Sequence, residues 1–475
     1  MTFVSFHNRA RNPLNHNHLM QRRDWLQVGG LSAFGMSLPQ LLQSPAEASS
    51  PVTASRTFGR AKSCIVLFLL GGPPQHETWD PKPDAPDNIR GNFKPIGSAQ
   101  PGFQVGELMP KTAALVNDLA VIRSMSTNDN AHSASGYWML TGVPHTPKNK
   151  ETDGKGGPPN DWPCLGARVR HLLGDRGNLP AAITLPENLW NTGMINWSGQ
   201  TAGWLGPQAD PWLIMCDPSA SNFEVSELAL REGVTPIRMH HRGNLLHQFN
   251  QGVDHLLKSN VVDRWNQYQQ RAIEMLSSKE ARHAFALDDE DSNLRDSYGR
   301  NRFGQSVLLA RRMVEAGVRM VQVNWTRWGH DTSAAPAWDT HADNEKRLRN
   351  DLMPPMDAAY STLLKDLKQR GLLEETLVVW MGEFGRTPKI NKRGGRDHWG
   401  HVFPVALAGG GIQPGVLIGA SDSIGGHPTE FRREPHDLHA TILHLMGINP
   451  QTEIHTPEGR PSVVSRGDVL HEVLV

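Results

Sequence analysis

The sequence predicts an α/β fold in which a central, mostly parallel sheet is covered by helices on both faces. Short apolar runs of strand length, without the polar alternation of a half-exposed strand, indicate strands that are buried on both faces. Amphipathic helical segments separate several of these runs in the C-terminal half, and such βαβ alternation is typical of a parallel sheet. With 475 residues and 38% hydrophobic content, the chain is long enough for one large domain with inserted loops.

The first predicted strand is the apolar run at residues 64–70, which ends at two glycines. Polar residues follow at 75–80, where open α/β sheets form their sites. Residues 109–122 have a helix-like pattern and lead into a polar segment at 126–135 that is rich in small hydroxyl residues. The early part of the chain therefore predicts one central strand, one helix and two polar segments beside the sheet.

Residues 144–302 are predicted to be a long insertion. The part up to about residue 217 is dense in Gly, Pro, Asn and Trp, which predicts a loop-rich excursion over the sheet edge that walls a binding cleft. The part from about residue 240 has the charged pattern of helices.

Regular alternation of helices and strands returns at residue 305. Apolar residues at helical spacing predict the helices, β-branched and apolar runs predict the strands, and Gly317 and Gly371 are suitable helix ends. In chain order the predicted elements are a helix at 306–316, a strand at 318–325, a helix at about 348–367, strands at 376–381 and 402–409, and a closing helix at 436–446.

The N-terminal segment has the order of an export signal. Arg22 and Arg23 precede an apolar, glycine-rich stretch at 28–42 and an A-x-A box at 46–48. The paired arginines are similar to the twin-arginine signal, which predicts that residues 1–48 are removed on export of a folded chain to the periplasm or the exterior. The apolar stretch is too short for a stable membrane span. A disordered tail or an amphipathic anchor is the alternative.

The overall charge excludes a general affinity for polyanions. Lys plus Arg and Asp plus Glu both number 48, so no basic field favours nucleic acid or anionic lipid. Small-molecule or polysaccharide partners are predicted instead, together with the twin-arginine export machinery. Three cysteines without C-x-x-C spacing exclude a zinc ribbon and allow at most one disulfide.

Three loops that adjoin predicted strands carry the residues that favour metal chemistry. Carboxylate oxygens and imidazole nitrogens without a thiolate predict a catalytic site for zinc, manganese, calcium or magnesium. The guanidinium of Arg386 is suited to holding a phosphate or sulfate group. The alternatives are a helix cap, an ordinary loop histidine and an ion pair between a neighbouring glutamate and arginine. The loop residues are Asp339 with His341, Glu383 with Arg386, and Asp397 with His398 and His401.

Four stretches carry a resemblance to a known family. They are GGPPQHETWDPKP, WDTHADN, GEFGRTPKIN and GRDHW. Together they resemble a family of exported proteins with a domain of unknown function (DUF1501), within the alkaline-phosphatase-like and sulfatase superfamily. The resemblance spans nearly the whole mature chain and implies an alkaline-phosphatase-like fold.

The resemblance also implies roles for individual residues. Asp339 and His341 would bind one metal ion, and Glu383 would stand at the position of an acidic ligand. The remaining ligand would come from Asp397 or from one of the histidines after it, His398 or His401.

The chain departs from the superfamily pattern at the first strand. Related hydrolases carry an aspartate ligand directly after that strand, whereas this chain has Gly71 and Gly72. His76 or Glu77 would replace that ligand only if the loop folds back.

A second departure concerns the nucleophile. The chain has NAHSASG where sulfatases carry a C/S-x-P-x-R arrangement, which argues against the standard sulfatase mechanism. Ser133 or Ser135 is a candidate nucleophile, with His132 as a metal ligand or base. The alternative is that the two serine hydroxyls cap a helix.

The resulting functional hypothesis is metal-assisted hydrolysis of a phosphate or sulfate ester, with carbohydrate esters among the candidate substrates. Trp190, Trp197 and Trp204 in the predicted insertion are candidates for stacking on sugar rings, or else are partly buried loop anchors. The rival hypothesis is a non-catalytic ligand- or polysaccharide-binding protein that retains the fold.

Overall fold

The computed structural model of the protein describes residues 56–475 except for 153, 155–156, 191–193, 222, 224, 226–240, 242–244, 246–277 and 329–336. The predicted export signal and most of the predicted helical part of the insertion lie outside the described residues. None of the helices that the structure describes has the length and apolar character needed to cross a bilayer.

The central element is an eight-stranded sheet. Its order is β8-β2-β7-β6-β1-β5-β3-β4, and every strand except β7 runs in the same direction. The prediction of a mostly parallel α/β sheet is therefore confirmed. The strands are β1 (Ser63–Leu69), β2 (Leu119–Met125), β3 (Ala182–Leu185), β4 (Trp212–Leu213), β5 (Met320–Trp325), β6 (Thr376–Met381), β7 (Phe403–Ala408) and β8 (Val416–Ile418).

Strand β1 lies in the middle of the sheet because it has no polar face. All seven of its residues are buried. Since successive strand residues point to opposite faces, burial of both sets means that both faces of the sheet are covered. Ile65 pairs with Val321 of β5 on one side and with Val378 of β6 on the other.

Strand β7 is the antiparallel member of the sheet. It pairs with β2 and β6, and its register against β2 shifts between Phe403 and Val405. Pro404 lies at the shift, where a residue without an N–H group is tolerated.

The helices that flank the sheet follow the predicted order in the C-terminal half. Seven helices exceed one or two turns: α1 (His132–Thr141), α2 (Leu165–Leu173), α3 (Lys279–Phe285), α4 (Ser292–Tyr298), α5 (Arg302–Glu315), α6 (Met353–Gln369) and α7 (Pro435–Leu445). Short helical segments lie at Asp87–Arg90, Pro110–Ala113, Asn344–Arg347 and Leu348–Leu352. Two-stranded pairs join Pro95–Gly97 to Gln104–Gly106, Gly385–Arg386 to His398–Trp399, Ala420–Ser421 to Pro428–Glu430, and Glu453–His455 to Pro461–Val463.

The helix predicted over residues 109–122 is wrong in its second half. Only Pro110–Ala113 is helical there, and β2 begins at Leu119. The run from Leu119 to Ile122 is buried between β7 and β8, so packing inside the sheet overrides its helix-like spacing.

The predicted insertion enters the sheet as well as covering its edge. Strands β3 and β4 lie inside residues 144–302 and extend the sheet beyond β5. They are short, which is why they do not stand out in a segment rich in Gly and Pro.

A buried histidine of α7 gives the fold a predicted sensitivity to acid. Nε2 of His439 donates to the carbonyl oxygen of Met139 at 2.9 Å. Burial, with a contribution from the Arg168 charge, lowers the pKa of His439 from 6.5 to about 3. The unfolded chain therefore takes up this proton first as the pH falls, and stability is lost from about pH 6.5 downward to about pH 3.

We expect His439→Gln to flatten the dependence of unfolding free energy on pH between 6.5 and 5 by about 1 kcal/mol per pH unit. Urea unfolding at several pH values measures this slope. His455→Gln, at an exposed position, is the matched control. Equal slopes for wild type and His439→Gln would contradict the assignment.

Candidate metal centre

The candidate site lies where four segments meet beside the sheet. Asp339 follows β5, Glu383 follows β6, and His132 is the first residue of α1, which follows β2. His398 begins the short strand that pairs with Gly385–Arg386. Three of these residues come from segments after parallel strands, whose carboxyl ends share one edge of the sheet.

Asp339 is the centre of the cluster. Its Oδ2 lies 3.2 Å from Nε2 of His132, and its Oδ1 lies 3.1 Å from Nε2 of His398. One donor atom from each of these three residues lies within 4.8 Å of the other two, which is close enough to surround one ion.

His341 joins the same cluster from the loop that carries Asp339. Its Nε2 lies 3.1 Å from Oδ1 of Asp339 and 2.8 Å from Nε2 of His398. Donors bound at about 2.0–2.2 Å to one ion are separated by roughly 3 Å, so these spacings fit a shared cation.

The outer nitrogen of each imidazole is held by an acceptor that cannot donate. Nδ1 of His132 donates to Oε1 of Glu383 at 2.7 Å, and Nδ1 of His341 donates to Oδ1 of Asp397 at 2.6 Å. Nδ1 of His398 donates to the carbonyl oxygen of Asn130 at 2.7 Å.

All three neutral rings therefore turn an unprotonated Nε2 toward Asp339. Two such lone pairs facing each other at 2.8 Å, as in His341 and His398, require a proton or a cation between them.

The carboxylates determine where a proton sits without a metal. Burial opposes the charge on His132, but the charges and hydrogen bonds of Asp339 and Glu383 outweigh it and raise its pKa to about 10. Against the effect of burial, His132 and Arg386 hold the pKa of Asp339 well below its usual range. Burial and the charge on His132 lower the pKa of His398 to about 4. A divalent cation would displace the proton of His132, which fits a site whose charge is balanced only by a cation.

Glu383 is completely buried and orients His132 rather than touching Asp339. Its Oε1 accepts from His132 and also from the backbone N–H of Gly71 at 2.8 Å. Its Oε2 has no hydrogen-bond partner among the described residues. A carboxylate behind a histidine fixes the ring and raises its basicity as a ligand.

Arg386 lies in a position that differs from its predicted use. The guanidinium is completely buried and donates to the carbonyl oxygens of Gly71, Gly72 and Arg396, and to Oδ1 of Asp339. Its donors are thus directed at the protein, and in the structure it orients Asp339 instead of facing a substrate anion.

Two glycines allow these contacts. Gly71 has φ of +111°, and a Cβ at this position would lie 2.3 Å from the backbone nitrogen of Asp339. Gly72 has φ of +77°, and its Cβ would lie 2.7 Å from the carbonyl oxygen of Phe384. The departure from the aspartate of related hydrolases therefore has a steric reason, because no side chain fits there.

The other predicted ligands have different partners. Glu77 is buried and accepts from Nε and Nη2 of Arg396 at 2.9 and 2.7 Å. Nε2 of His76 lies 2.7 Å from the carbonyl oxygen of Ile424, and burial, followed by the charge of Arg396, lowers the pKa of His76 to about 3.

His401 also lies apart from the cluster around Asp339. Its ring contacts Trp399 and His427, with centroid distances of 4.4 and 5.0 Å. Neither it nor the pair His76 and Glu77 belongs to the group of donor atoms around Asp339 among the described residues.

Both candidate serine nucleophiles are buried and bonded to the protein. Oγ of Ser133 donates to Oε2 of Glu151 at 2.6 Å, and Oγ of Ser135 donates to the carbonyl oxygen of Glu383 at 2.5 Å. Neither serine is the N-cap of α1, a position held by Ala131. Glu151 instead accepts the N–H groups of the first turn.

Several residues of the site carried no signal in the sequence. Asn130 acts through its carbonyl oxygen, and Glu151 lies in a loop without a recognisable motif. The ring of Phe384 stacks on His398 at a centroid distance of 4.7 Å and lies 4.9 Å from that of His132. The order E-F-G-R places this ring beside Glu383, but only the folded loop shows that it separates the histidines from the core.

Solved structures to which the chain is similar include members of one superfamily. A lipoteichoic acid synthase from Listeria monocytogenes is 11% identical, with 83% of this chain and 74% of that chain covered and a TM-score of 0.39. A sulfatase from Pseudoalteromonas sp. is 14% identical over 82% of this chain and 68% of that chain, with a TM-score of 0.36. A protein in the alkaline phosphatase superfamily from Vibrio parahaemolyticus is 12% identical over 82% and 67%, with a TM-score of 0.35.

A comparison with curated proteins gave no match. The family model described as "Protein of unknown function (DUF1501)" matches residues 61–474, which is most of the chain. All four stretches that carried the resemblance lie inside this range. The prediction of the family is confirmed, and the chain belongs to the DUF1501 family.

Proposed function

We propose that the protein is an exported, metal-dependent hydrolase of phosphate or sulfate esters. The observation that carries the proposal is the convergence of three imidazole Nε2 atoms on the carboxylate of Asp339, with a spacing of 2.8 Å between two of them. Side chains with oxygen and nitrogen donors and no thiolate are typical of hydrolytic rather than structural metal sites.

The residues of the chain divide into those that would hold a divalent cation and those that orient them. Asp339, His132, His341 and His398 are the candidate ligands. Glu383, Asp397 and the Asn130 carbonyl fix the three rings with Nε2 inward, and Arg386 holds Asp339. When bound, a divalent cation supplies Lewis-acid polarisation of an ester oxygen and lowers the pKa of a bound water.

The rival is a binding protein without turnover, and one observation favours it. The guanidinium of Arg386 and the hydroxyls of Ser133 and Ser135 are all bonded to protein groups. The predicted anion-binding and nucleophilic groups thus do not face the cluster in this structure.

Turnover assays with the purified protein separate the two candidates. The protein is loaded in turn with zinc, manganese, calcium or magnesium and incubated with aryl phosphate, aryl phosphodiester and aryl sulfate. We expect hydrolysis of at least one ester class, lost on chelation and restored by the metal. Stoichiometric metal binding without turnover of any ester would support the binding protein instead.

Export is a separate part of the proposal and is supported by the order of the N-terminal segment. We expect the paired change Arg22→Lys and Arg23→Lys to retain uncleaved precursor in the cytoplasm. Cell fractionation with an antibody to the mature chain measures the distribution, and Lys62→Arg is a control outside the signal. Unchanged export of the double variant would exclude the twin-arginine route.

A further inference from the structure

A cleft with a volume of about 410 Å³ opens in the loop-rich part of the chain between Gly154 and Trp204. This volume lies within the range of about 300–1,000 Å³ that small-ligand sites occupy. Its wall includes three tryptophans, Trp162, Trp197 and Trp204, together with amide, hydroxyl and glycine residues.

The chemistry of the lining favours an uncharged, hydroxyl-rich ligand. No lysine, arginine or histidine is among the described residues that line the cleft, and its one carboxylate is Asp161. Asn188 and Asn196 supply amides, which both donate and accept, as sugar hydroxyls do. Oγ of Ser198 is buried and has no hydrogen-bond partner among the described residues. A polyanion would find no counter-charge in these described walls.

Tryptophan rings supply the apolar surface for the carbon faces of a sugar. Trp162 and Trp204 are half-buried and meet edge to face, with centroids 5.7 Å apart. Aromatic rings combine a large contact area with little loss of conformational entropy, and such surfaces are therefore effective in binding sites.

The walls are held in place by contacts that a mobile surface loop would lack. The backbone N–H of Trp162 donates to the hydroxyl of Tyr137 at 3.0 Å, and that of Trp204 donates to the carbonyl oxygen of Asp161 at 3.0 Å. A Cβ on Gly203 would lie 1.8 Å from the same carbonyl oxygen, so the chain passes there only with glycine. The cleft is therefore preformed.

Trp197 connects the cleft to the candidate metal centre. It lines the cleft, and its ring is stacked against that of His132 with centroids 6.2 Å apart. A Cβ on Gly136 of α1 would lie 2.4 Å from the Trp197 ring, so this tryptophan packs directly on the helix that begins with His132.

From these contacts we propose that the cleft binds a neutral oligosaccharide and delivers its esterified hydroxyl to the metal centre. The binding of the sugar is independent of catalysis. The identification of this sugar as the alcohol part of the substrate rests on the proposed ester hydrolysis.

Isothermal titration of the full chain with cellotetraose, maltotetraose, laminaritetraose and chitotetraose tests the cleft without turnover. We expect one of these probes to bind, and Trp204→Ala to weaken that binding at least about tenfold because a stacking surface is lost. Trp212→Ala is the matched control, since Trp212 is also half-buried but lies outside the cleft. It should bind as wild type does.

Asn196→Ala provides a second variant whose folding is not in question, because Asn196 is exposed. We expect about two- to tenfold weaker binding from the loss of its hydrogen bonds. Absence of binding to all four oligosaccharides, or equal binding by wild type and both cleft variants, would overturn the proposal. Binding of a single-stranded oligonucleotide but of no oligosaccharide would also overturn it.

These outcomes are distinct from failure of the proposed function. Oligosaccharide binding without hydrolysis of any ester would leave the cleft in place and remove the catalytic part. Aryl ester hydrolysis without oligosaccharide binding would do the reverse.

Discussion

Replacing Asp339 with asparagine is expected to remove most of the bound divalent cation and, with it, the proposed ester hydrolysis. Asp339 is the residue that contacts His132, His341 and His398 at once. Loss of its negative charge would leave the cation beside the guanidinium of Arg386. Removal of residues that merely support a ligand costs about 10- to 100-fold in metal affinity, so we expect at least about 100-fold here.

Metal content after dialysis, measured by mass spectrometry, and titration with zinc or manganese test this expectation. Asp343→Asn is the matched control, because Asp343 is an exposed aspartate of the same loop whose positive φ asparagine tolerates. Circular dichroism establishes that both variants are folded. If Asp339→Asn keeps the wild-type metal content and affinity, the cluster is a hydrogen-bonded network and the proposed site is lost.

The second large effect is expected on stability instead of metal binding. Glu77 and Arg396 form a buried ion pair, with side chains 2% and 0% exposed. Glu77→Gln would leave the Arg396 charge in the interior without its counter-ion, which we expect to cost about 3–5 kcal/mol in the free energy of unfolding. Bound metal per chain should be unchanged, because the structure places this carboxylate on Arg396.

Chemical denaturation and metal analysis of the same preparation separate the two roles. Glu375→Gln is the matched control, since Glu375 pairs with Lys62 on the exposed surface and its loss should cost no more than about 1 kcal/mol. A Glu77→Gln protein of normal stability that has lost its metal would show that Glu77 is a ligand, as one sequence-based alternative has it.

The predictable part of the fold is the part written in local pattern. The strands around residues 64–70, 318–325 and 376–381 are continuous apolar runs, and the structure has strands there within two residues. The helix predicted over residues 109–122 failed because burial between two strands outweighs helical spacing. The reversed direction of β7 depends on pairing with β2, which no local pattern encodes.

The site shows a similar division. Residue type and position after strands brought Asp339, His341 and His398 into one hypothesis, and the structure places them together. The sequence could not separate residues that face the cluster from residues that hold it. Arg386 and Glu383 differ from Asp339 only in what lies next to them after folding, and the interaction of Glu77 with Arg396 links positions 319 residues apart.

The pairing of β1 also has a consequence for how the chain is made. This strand is the first of the sheet to leave the ribosome, yet the register partners of Ile65 are Val321 and Val378. Until both have been synthesised, an entirely apolar segment has neither of its native neighbours, and such exposed segments aggregate readily. We therefore expect the nascent chain to depend on chaperones that shield this segment. A folded protein ready for export can exist only after translation has passed β7, near the end of the message.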